Sequence, residues 1–305
     1  MARSRPVARR RCLKGHVLRW FGMALGCLPA TAIPRLGRWL AHVEPLVRRR
    51  RRIAARNLAL AFPLHDDATH ARLLRKTLAS STTGGLDTLR AWFAPAGRLD
   101  GLGRIDGMDV LEAAIGEGRG AVLIGAHYDS IELAIRLVAD AAHARGIRTA
   151  VLVRRYNDPC LEAAIDAGRL RYLSATIDKK DITGFCAAVG GGGAVFYVPD
   201  QDAGPRGVFV PFFGIQASTV AAMPGVLHRA GGIPLLVWSS RGDDGRLAID
   251  IERAPAGFLD GDGVQVAARY TAWVERRVRA APAQYLWVHR RYKTRPAGEA
   301  DAYAP

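Results

Sequence analysis

The sequence of 305 residues contains little cysteine and none of the common hydrolase motifs. It has no Gly-x-Ser-x-Gly turn and no His-Glu-x-x-His pair, which argues against a serine hydrolase or a zinc peptidase. The run Gly190–Gly193 has no following Lys-Ser/Thr, so it predicts a helix C-cap and turn instead of a phosphate-binding loop. The cysteines show no Cys-x-x-Cys or Cys/His zinc spacing, which predicts free thiols in a reducing compartment and no metal. They are Cys12, Cys27, Cys160 and Cys186.

Acidic residues are nearly absent from the beginning of the chain. Residues 1–56 contain 15 Lys or Arg and one acidic residue, Glu44, whereas the other 249 residues contain 29 basic and 27 acidic residues. The net charge of +16 therefore belongs almost entirely to a basic head. Because the body is nearly neutral, we do not expect a nucleic-acid partner, since a duplex-binding protein usually carries its basic patch on the folded domain.

A long apolar run is also missing. The segment Trp20–Pro34 lies between two arginine clusters, Arg9–Arg11 and Arg48–Arg52, and is interrupted by glycine and proline. A bilayer-spanning helix needs about 20 apolar residues, and this segment is shorter. We interpret the head as a membrane-anchor helix that lies in the interface and is attracted to an anionic membrane surface. A short tilted span and a cleaved signal peptide remain alternatives.

The pattern after the head predicts one folded domain in two parts, a helical part and an α/β part. We divide the chain into a basic membrane-associating segment (1–52) and a domain (53–305) that is helical over 53–104 and α/β over 105–305. The helical part holds helices over 53–62 and about 68–93. Strands alternate with helices after residue 105, which predicts a mostly parallel sheet, and Asp243-Asp244-Gly245 indicates a hairpin between the last two strands. The strands are predicted at 121–125, 149–153, 194–198, 234–238 and 247–251, and the helices at 109–117, 130–144, 161–168, 182–189, 218–230 and 263–280.

The strongest chemical signal follows the first of these strands. His127 and Glu132 form a His-x4-Glu pattern at a strand-to-helix junction, where ligand sites of α/β folds tend to form. The carboxylate of Glu132 can orient the imidazole and stabilise its protonated form, which would make His127 a general base. Asp129 is a rival carboxylate, or else a cap of the following helix.

Two further stretches carry polar residues in a similar setting. Pro199-Asp200-Gln-Asp202 follows an apolar strand and leads into Gly204 and Pro205. The segment from Tyr285 to Pro296 interleaves Trp287 and Tyr292 with Arg290, Arg291, Lys293 and Arg295, a composition that fits a buried or ligand-facing segment better than a solvated tail.

Together these stretches resemble the bacterial lipid A biosynthesis acyltransferases, of the type that adds lauroyl or myristoyl chains to the Kdo-bearing lipid A precursor. The resemblance extends to Arg56-Asn57-Leu-Ala-Leu-Ala-Phe-Pro63, to Arg155-Tyr-Asn-Asp-Pro159 and to Phe209-Val-Pro-Phe-Phe-Gly214. It implies an αβα sandwich of the glycerolipid-acyltransferase type, with acyl carrier protein as the donor and a phosphorylated glycolipid as the acceptor. It also implies functional roles for Arg169 and Asp200.

Five further residues are candidates for substrate binding. Arg155 can contact a phosphate or a sugar carboxylate, and Asp202 lies in the turn that follows the strand. Arg290, Arg291 and Lys293 can contact lipid phosphate or the acidic carrier protein. Arg169 can instead complement the dipole of a helix C-terminus, and the C-terminal basic residues can form an exposed face.

We therefore expect an O-acyltransferase on the cytoplasmic face of an inner membrane, with His127 as general base and no cofactor. Direct attack of the acceptor hydroxyl on the donor thioester requires no enzyme nucleophile. Two alternatives are an acyltransferase for another glycolipid or phospholipid acceptor, and a membrane-binding homologue without catalytic activity.

Overall fold

In the computed structural model, which describes residues 12–304 apart from the side chains of residues 44–47, four helices precede the first strand. They are α1 (Leu13–Gly26), α2 (Ala32–Leu40), α3 (Glu44–Ala61) and α4 (Asp67–Phe93). The strands that follow are β1 (Gly103–Asp106), β2 (Ala121–Ile124), β3 (Thr149–Val153), β4 (Ala175–Asp178), β5 (Ala194–Tyr197), β6 (Val208–Phe212), β7 (Ile215–Thr219), β8 (Ile233–Arg241) and β9 (Leu247–Arg253). The later helices are α5 (Met108–Gly116), α6 (Ile131–His143), α7 (Pro159–Arg169), α8 (Ile182–Gly190), α9 (Met223–Ala230) and α10 (Gly263–Ala280).

Within this part of the chain, seven strands form one sheet in the order β1-β9-β8-β2-β5-β3-β4. Neighbours are parallel except β8 and β9, which form the expected antiparallel hairpin. All four residues of the central strand β2 are buried, as is typical of a parallel strand that is covered on both faces. The predicted α/β fold with a mostly parallel sheet is confirmed.

Helices lie on both faces of this sheet. The connection β2-α6-β3 and the connection β4-α8-β5 run in opposite directions along the strand order. Because such crossovers are almost always right-handed, α6 and α8 lie on opposite faces. Helix α4 packs on α6, and α8, α9 and α10 pack in succession on the other face.

Several predicted element bounds are wrong. Ser218 and Thr219 belong to β7, so the helix predicted over 218–230 begins only at Met223. Strands β6 and β7 form a separate antiparallel hairpin, in which Phe213 and Gly214 both have positive φ. These are the backbone angles of a two-residue hairpin turn, which favours glycine or asparagine. Because phenylalanine is unusual at such a position, the sequence did not indicate the turn. Strands β1 and β4 are short and only partly apolar, so they gave no strand pattern either.

The N-terminal helices pack on the body of the protein. Helices α1 and α2 both lie against α4, with Gly22 close to Phe93 and Gly37 close to Thr83. Helix α3 runs through residue 52, where we place the end of the basic head, and that division of the chain stays a prediction. The arginine cluster Arg9–Arg11 lies outside the described residues. No helix among residues 12–304 is both long and apolar enough to cross a membrane.

The prediction of four free cysteines is wrong. Cys12 and Cys160 form a disulfide across 148 positions of sequence, with Cα atoms 5.8 Å apart, while Cys27 and Cys186 are free. The pairing follows from the packing of α1 on α7, because each cysteine lies at the N-terminus of its helix. A contact between such distant elements has no local signal in the sequence.

Candidate active site

The candidate site lies at the C-terminal edge of the parallel strands. His127 follows β2 and Asp200 follows β5, and these neighbouring strands align Ile124 with Tyr197. Because both strands end at the same edge, the two side chains reach the same place. The loop after β3 brings Arg155 to this edge as well.

His127 and Asp200 form a closely bonded pair. The imidazole Nδ1 lies 2.6 Å from Asp200 Oδ1, and the backbone N–H of His127 donates to Asp200 Oδ2 at 3.0 Å. Asp200 is buried, whereas about a quarter of the His127 side chain is exposed. With Nδ1 occupied by the carboxylate, the other ring nitrogen, Nε2, is the one that can exchange a proton with a ligand.

Two opposing effects set the charge of this pair. Burial lowers the pKa of His127, but the charge and hydrogen bond of Asp200, together with the charge of Glu132, raise it, and the net pKa is above its ordinary value of 6.5. For Asp200, burial raises the pKa and the neighbouring His127 lowers it, so that the net pKa of the carboxyl is reduced. The pair therefore favours an imidazolium beside a carboxylate.

Glu132 does not orient His127, contrary to the sequence-based expectation. Its carboxylate accepts hydrogen bonds from Arg169 Nη2, from Arg169 Nε at 3.4 Å and from Trp92 Nε1 at 2.9 Å. The Arg169 guanidinium also lies over the Trp92 ring, 5.2 Å from its centroid. Glu132 lies in the first turn of α6, and its hydrogen-bond partners belong to α7 and α4. The carboxylate that orients His127 is Asp200.

A cleft with a volume of about 520 Å³ connects these groups. His127, Glu132 and Arg169 line it, together with Thr88 and Trp92 of α4. Much of the rest of the wall is apolar. Its apolar side chains come from α6 and from the ends of β3 and β5, namely Ile131, Ile135, Val151, Leu152, Val153 and Val198. The cleft can therefore hold an apolar chain beside a base and a fixed cation.

Several predicted substrate-binding residues make contacts within the protein, and their role toward a substrate stays a prediction. Arg155 lines the cleft, but its Nη1 donates to both Glu162 and Asp166 at 2.8 Å. The carboxylate of Asp202 accepts from the backbone N and the Oγ1 of Thr294, each at 3.0 Å. Arg291 is buried and donates to Ser218 O and Thr219 Oγ1. Through these hydrogen bonds the three residues connect chain segments that surround the site.

Arg290 and Lys293 are exposed. The Arg290 guanidinium lies over Tyr303 and shares a surface pocket with Arg48, Arg49 and Arg52 of α3. They are not brought to the cleft that contains His127.

The C-terminal segment braces the loop that carries His127. The backbone N of Leu286 donates to the His127 carbonyl at 3.0 Å, and Tyr128 and Tyr285 form a β-bridge. Asn57 of α3 in turn donates to the carbonyls of Trp287 and His289. The aromatic residues of this segment are therefore mostly core, as with Trp287, which is fully buried.

Sequence reasoning did not find Trp92, and one of the two roles that it gave Asp129, the helix cap, is wrong. Trp92 lies near the end of a long amphipathic helix, where nothing distinguishes it from a core residue. Asp129 does not cap α6, because its Oδ2 accepts from Ser80 at 2.9 Å and lies 3.7 Å from Arg241 Nε. Burial raises the pKa of Asp129, whereas Arg241 and Ser80 lower it, and the net pKa is raised. Within residues 12–304, no three His, Cys, Asp or Glu side chains group as metal ligands.

Comparison with known proteins assigns the family. Residues 11–294 match the family model described as bacterial lipid A biosynthesis acyltransferase. The chain is 32% identical over 297 residues to a lipid A biosynthesis lauroyltransferase of Escherichia coli, and 31% identical over 296 residues to a palmitoleoyltransferase of the same organism, with 94% of each chain covered in both cases. A myristoyltransferase of E. coli is 26% identical over 277 residues, or 89% of this chain and 83% of that protein. The chain belongs to the family of bacterial lipid A biosynthesis acyltransferases.

Proposed function

We propose that this protein transfers a fatty acyl chain from acyl carrier protein to the hydroxyl of a hydroxyacyl chain on a lipid A precursor. The observation that carries this proposal is the His127–Asp200 pair on the wall of a cleft that also holds Arg169 and apolar side chains. Family membership supports acyl transfer to a lipid A precursor. The acyl-carrier-protein donor, the mechanism and the membrane association are parts of the proposal.

His127 acts as the general base in this mechanism. Its Nδ1–H donates to Asp200, which leaves Nε2 free to accept the proton of the acceptor hydroxyl as the oxygen attacks the thioester carbonyl carbon. The C–S bond then breaks, and the imidazolium returns its proton to the departing thiolate. Asp200 holds the tautomer and stabilises the imidazolium that forms between the two proton transfers.

Arg169 supplies the positive charge that the tetrahedral oxyanion requires. Glu132 holds the guanidinium from one side and the Trp92 ring supports it from another, so the cation does not have to reorganise during the reaction. Its pKa is lowered by burial and raised by Glu132, with a net increase, so it stays charged. Glu132 is in this view a positioning residue for Arg169.

Membrane association is supported by the surface of α1. Leu13, Val17, Trp20 and Phe21 are exposed and follow a spacing of three to four residues, which places them on one side of the helix. Arg48, Arg49, Arg52 and Arg290 provide exposed positive charge on α3 and the C-terminal segment. An exposed apolar helix face, together with exposed arginines elsewhere on the surface, is typical of proteins that lie in the interface of an anionic membrane. We place the enzyme on the cytoplasmic face of the inner membrane.

A purified assay tests this function. Wild-type protein is incubated with an acyl-acyl carrier protein and a Kdo-bearing lipid A precursor, and the lipid products are analysed by mass spectrometry. We expect a product that is one acyl chain heavier and a rate that falls about 10²- to 10⁴-fold in His127→Ala. Arg119→Gln is the control, because Arg119 precedes β2 at the opposite edge of the sheet and donates to the Gly231 carbonyl. Absence of any heavier lipid, or an unchanged rate in His127→Ala, would reject the proposal.

A further inference from the structure

A second cleft lies on the other flank of α4. It has a volume of about 440 Å³ and is formed by α2, α4 and the turn between β8 and β9. Thr83 lines this cleft and Trp92 lines the catalytic cleft. These residues are nine positions apart, or two and a half helical turns, so they point to opposite sides of α4. The two clefts are therefore separate spaces on either side of one helix.

The second cleft is strongly basic. Arg38 of α2 and Arg75 and Lys76 of α4 line it and are exposed. None of these three cations has a carboxylate within ion-pair distance in the part of the chain that the structure describes. Asp243 is the acidic residue on the rim. The walls thus keep a net positive charge.

The charged residues at the floor of the cleft are paired with one another, which leaves the wall cations free for a ligand. Asp129 is held there by Ser80 and Arg241, and Arg241 also donates to Asp87 and to Ser130 Oγ. Arg90 lies 3.9 Å from Asp87, so two arginines balance two aspartates in this buried network. The network neutralises itself, and the charge of Arg38, Arg75 and Lys76 is not used by it.

We infer that this cleft binds the phosphomonoester head group of a lipid, which deepens and rests on the proposed function. A phosphate group has three acceptor oxygens and up to two negative charges, which matches three cations on one cleft better than a single carboxylate does. The volume is within the range of small-molecule sites. Trp39 follows Arg38 on α2 and is 65% exposed, so α2 also presents an apolar side chain that a lipid can contact.

The second cleft lies close to the loop that carries His127. Asp129 is two residues from His127, so their Cα atoms are no more than about 7 Å apart. Gly84 of α4 packs directly against the Asp129 carbonyl. Lys76 lies 12 residues before Thr88 of the catalytic cleft, so the two sites are separated by about 10 Å across α4 and about 18 Å along it. A phosphorylated lipid held in the second cleft can therefore present its acyl chains to the catalytic cleft.

The test compares two variants that lose the same charge. The cleft variant is Arg38→Gln/Arg75→Gln/Lys76→Gln, and the control variant is Arg119→Gln/Arg145→Gln/Arg148→Gln, whose side chains lie on loops at the opposite edge of the sheet. Transfer is measured against the concentration of a phosphorylated acceptor and of the same acceptor after removal of its phosphates. We expect the cleft variant to raise KM for the phosphorylated acceptor at least tenfold, with kcat and the KM of the thioester donor within about threefold of wild type. With the dephosphorylated acceptor, wild type and cleft variant should be alike.

A second measurement does not depend on catalysis and distinguishes a phosphomonoester lipid from a phosphodiester lipid. Flotation with phosphatidylcholine vesicles is compared after addition of phosphatidic acid, a phosphomonoester, or phosphatidylglycerol, a phosphodiester, at equal surface charge. We expect wild type and control to prefer phosphatidic acid by several-fold and the cleft variant to lose that preference. If wild type transfers no acyl chain but keeps this preference, the proposed function fails and the site remains.

Three results would overturn the site. One is a cleft variant whose KM is unchanged for the phosphorylated acceptor. Another is an equal rise of KM for both acceptors, or an equal loss of binding to both vesicle types, which would indicate general attraction to the membrane surface. A third is displacement of the lipid by an equimolar amount of inorganic phosphate, which would assign the cleft to a free phosphate.

Discussion

At the scale of the single residue, His127 has two ring nitrogens in different surroundings. Nδ1 is bonded to Asp200, while the exposed part of the ring lines the catalytic cleft. The same carboxylate that fixes the tautomer also raises the pKa of the imidazole against the effect of burial. A general base works only in its neutral form. Because Asp200 stabilises the imidazolium, less of the neutral base is present at low pH, and activity there is lower.

We predict that Asp200→Asn moves the acid limb of kcat/KM to lower pH and lowers the maximum rate. In wild type the limb should have its midpoint above 6.5, because the pKa of His127 is raised. Asparagine removes the negative charge that favours the imidazolium, so the pKa of His127 falls. The rate should drop by about 10²- to 10⁴-fold because the tautomer and the charge stabilisation are lost together. Rates are measured from pH 5 to 9.

Asp202→Asn is the matched control for this profile. Asp202 lies two residues further along and binds Thr294 in place of His127. Its replacement should leave the midpoint of the acid limb where it is in wild type. A midpoint that stays fixed in Asp200→Asn, or that moves to higher pH, would show that Asp200 does not set the charge of the base.

We predict that Glu132→Gln destabilises the protein by about 3 kcal/mol, because it leaves the mostly buried Arg169 without its carboxylate. The double variant Glu132→Gln/Arg169→Gln should regain much of this stability but none of the activity, since the cation itself is lost. Chemical denaturation and the transfer assay measure the two effects. The exposed pair Arg145–Glu112 is the control, where Glu112→Gln should cost less than about 1 kcal/mol.

Equal activity in Glu132→Gln and wild type would contradict the role of Glu132 in positioning Arg169. Restored activity in the double variant would contradict the role of Arg169 itself. The sequence motif could name Glu132 and His127 but could not say that they bind different partners. That choice depends on the direction in which α6 leaves the loop and on the alignment of β2 with β5, neither of which is local to the motif.

At the scale of the element, α4 separates the two clefts and its position depends on one glycine. A Cβ atom at Gly84 would overlap the carbonyl of Asp129, whereas a Cβ at the neighbouring Gly85 would meet no atom within 4 Å. Only the first glycine therefore allows the helix to approach the loop that carries His127.

We predict opposite effects for alanine at these two positions. Gly85→Ala should stabilise the protein by up to about 1 kcal/mol, since alanine is the better helix former. Gly84→Ala should instead lower the free energy of unfolding by about 2 kcal/mol or more and reduce transfer, because the loop must move. Thermal unfolding and the transfer assay distinguish the two. Similar stabilisation by both substitutions would mean that α4 does not press on this loop.

The apolar face of α1 gives the next prediction. Trp20→Ser/Phe21→Ser should weaken binding to anionic vesicles at least tenfold while leaving the fold intact, because these side chains are 71% and 46% exposed. Leu64→Ser is the control, an apolar side chain that is 97% exposed in the connection between α3 and α4. Binding of the wild type should weaken in high salt, since charge attraction contributes to it. Undiminished flotation of the double variant would reject α1 as the membrane-binding surface.

At the scale of the whole molecule, local patterns predicted the strands that have continuous apolar runs and the helices that have clear caps. Asp66 caps α4, and β3 and α10 have the predicted bounds. The β6–β7 hairpin, the Cys12–Cys160 disulfide and the packing of α1 and α2 on α4 were not predicted. Each of these depends on contacts between residues far apart in sequence or on an unusual turn residue, for which composition and periodicity carry no information.

The lipid A of cells tests the central claim most directly. Wild-type protein, His127→Ala and the control Arg119→Gln are expressed at equal levels in cells that lack the native copy, and lipid A is analysed by mass spectrometry. The account predicts that cells with wild type or Arg119→Gln carry one acyl chain more than cells without the protein, and that His127→Ala does not restore this chain. Lipid A that is identical in all four strains, or that is fully restored by His127→Ala, would contradict it.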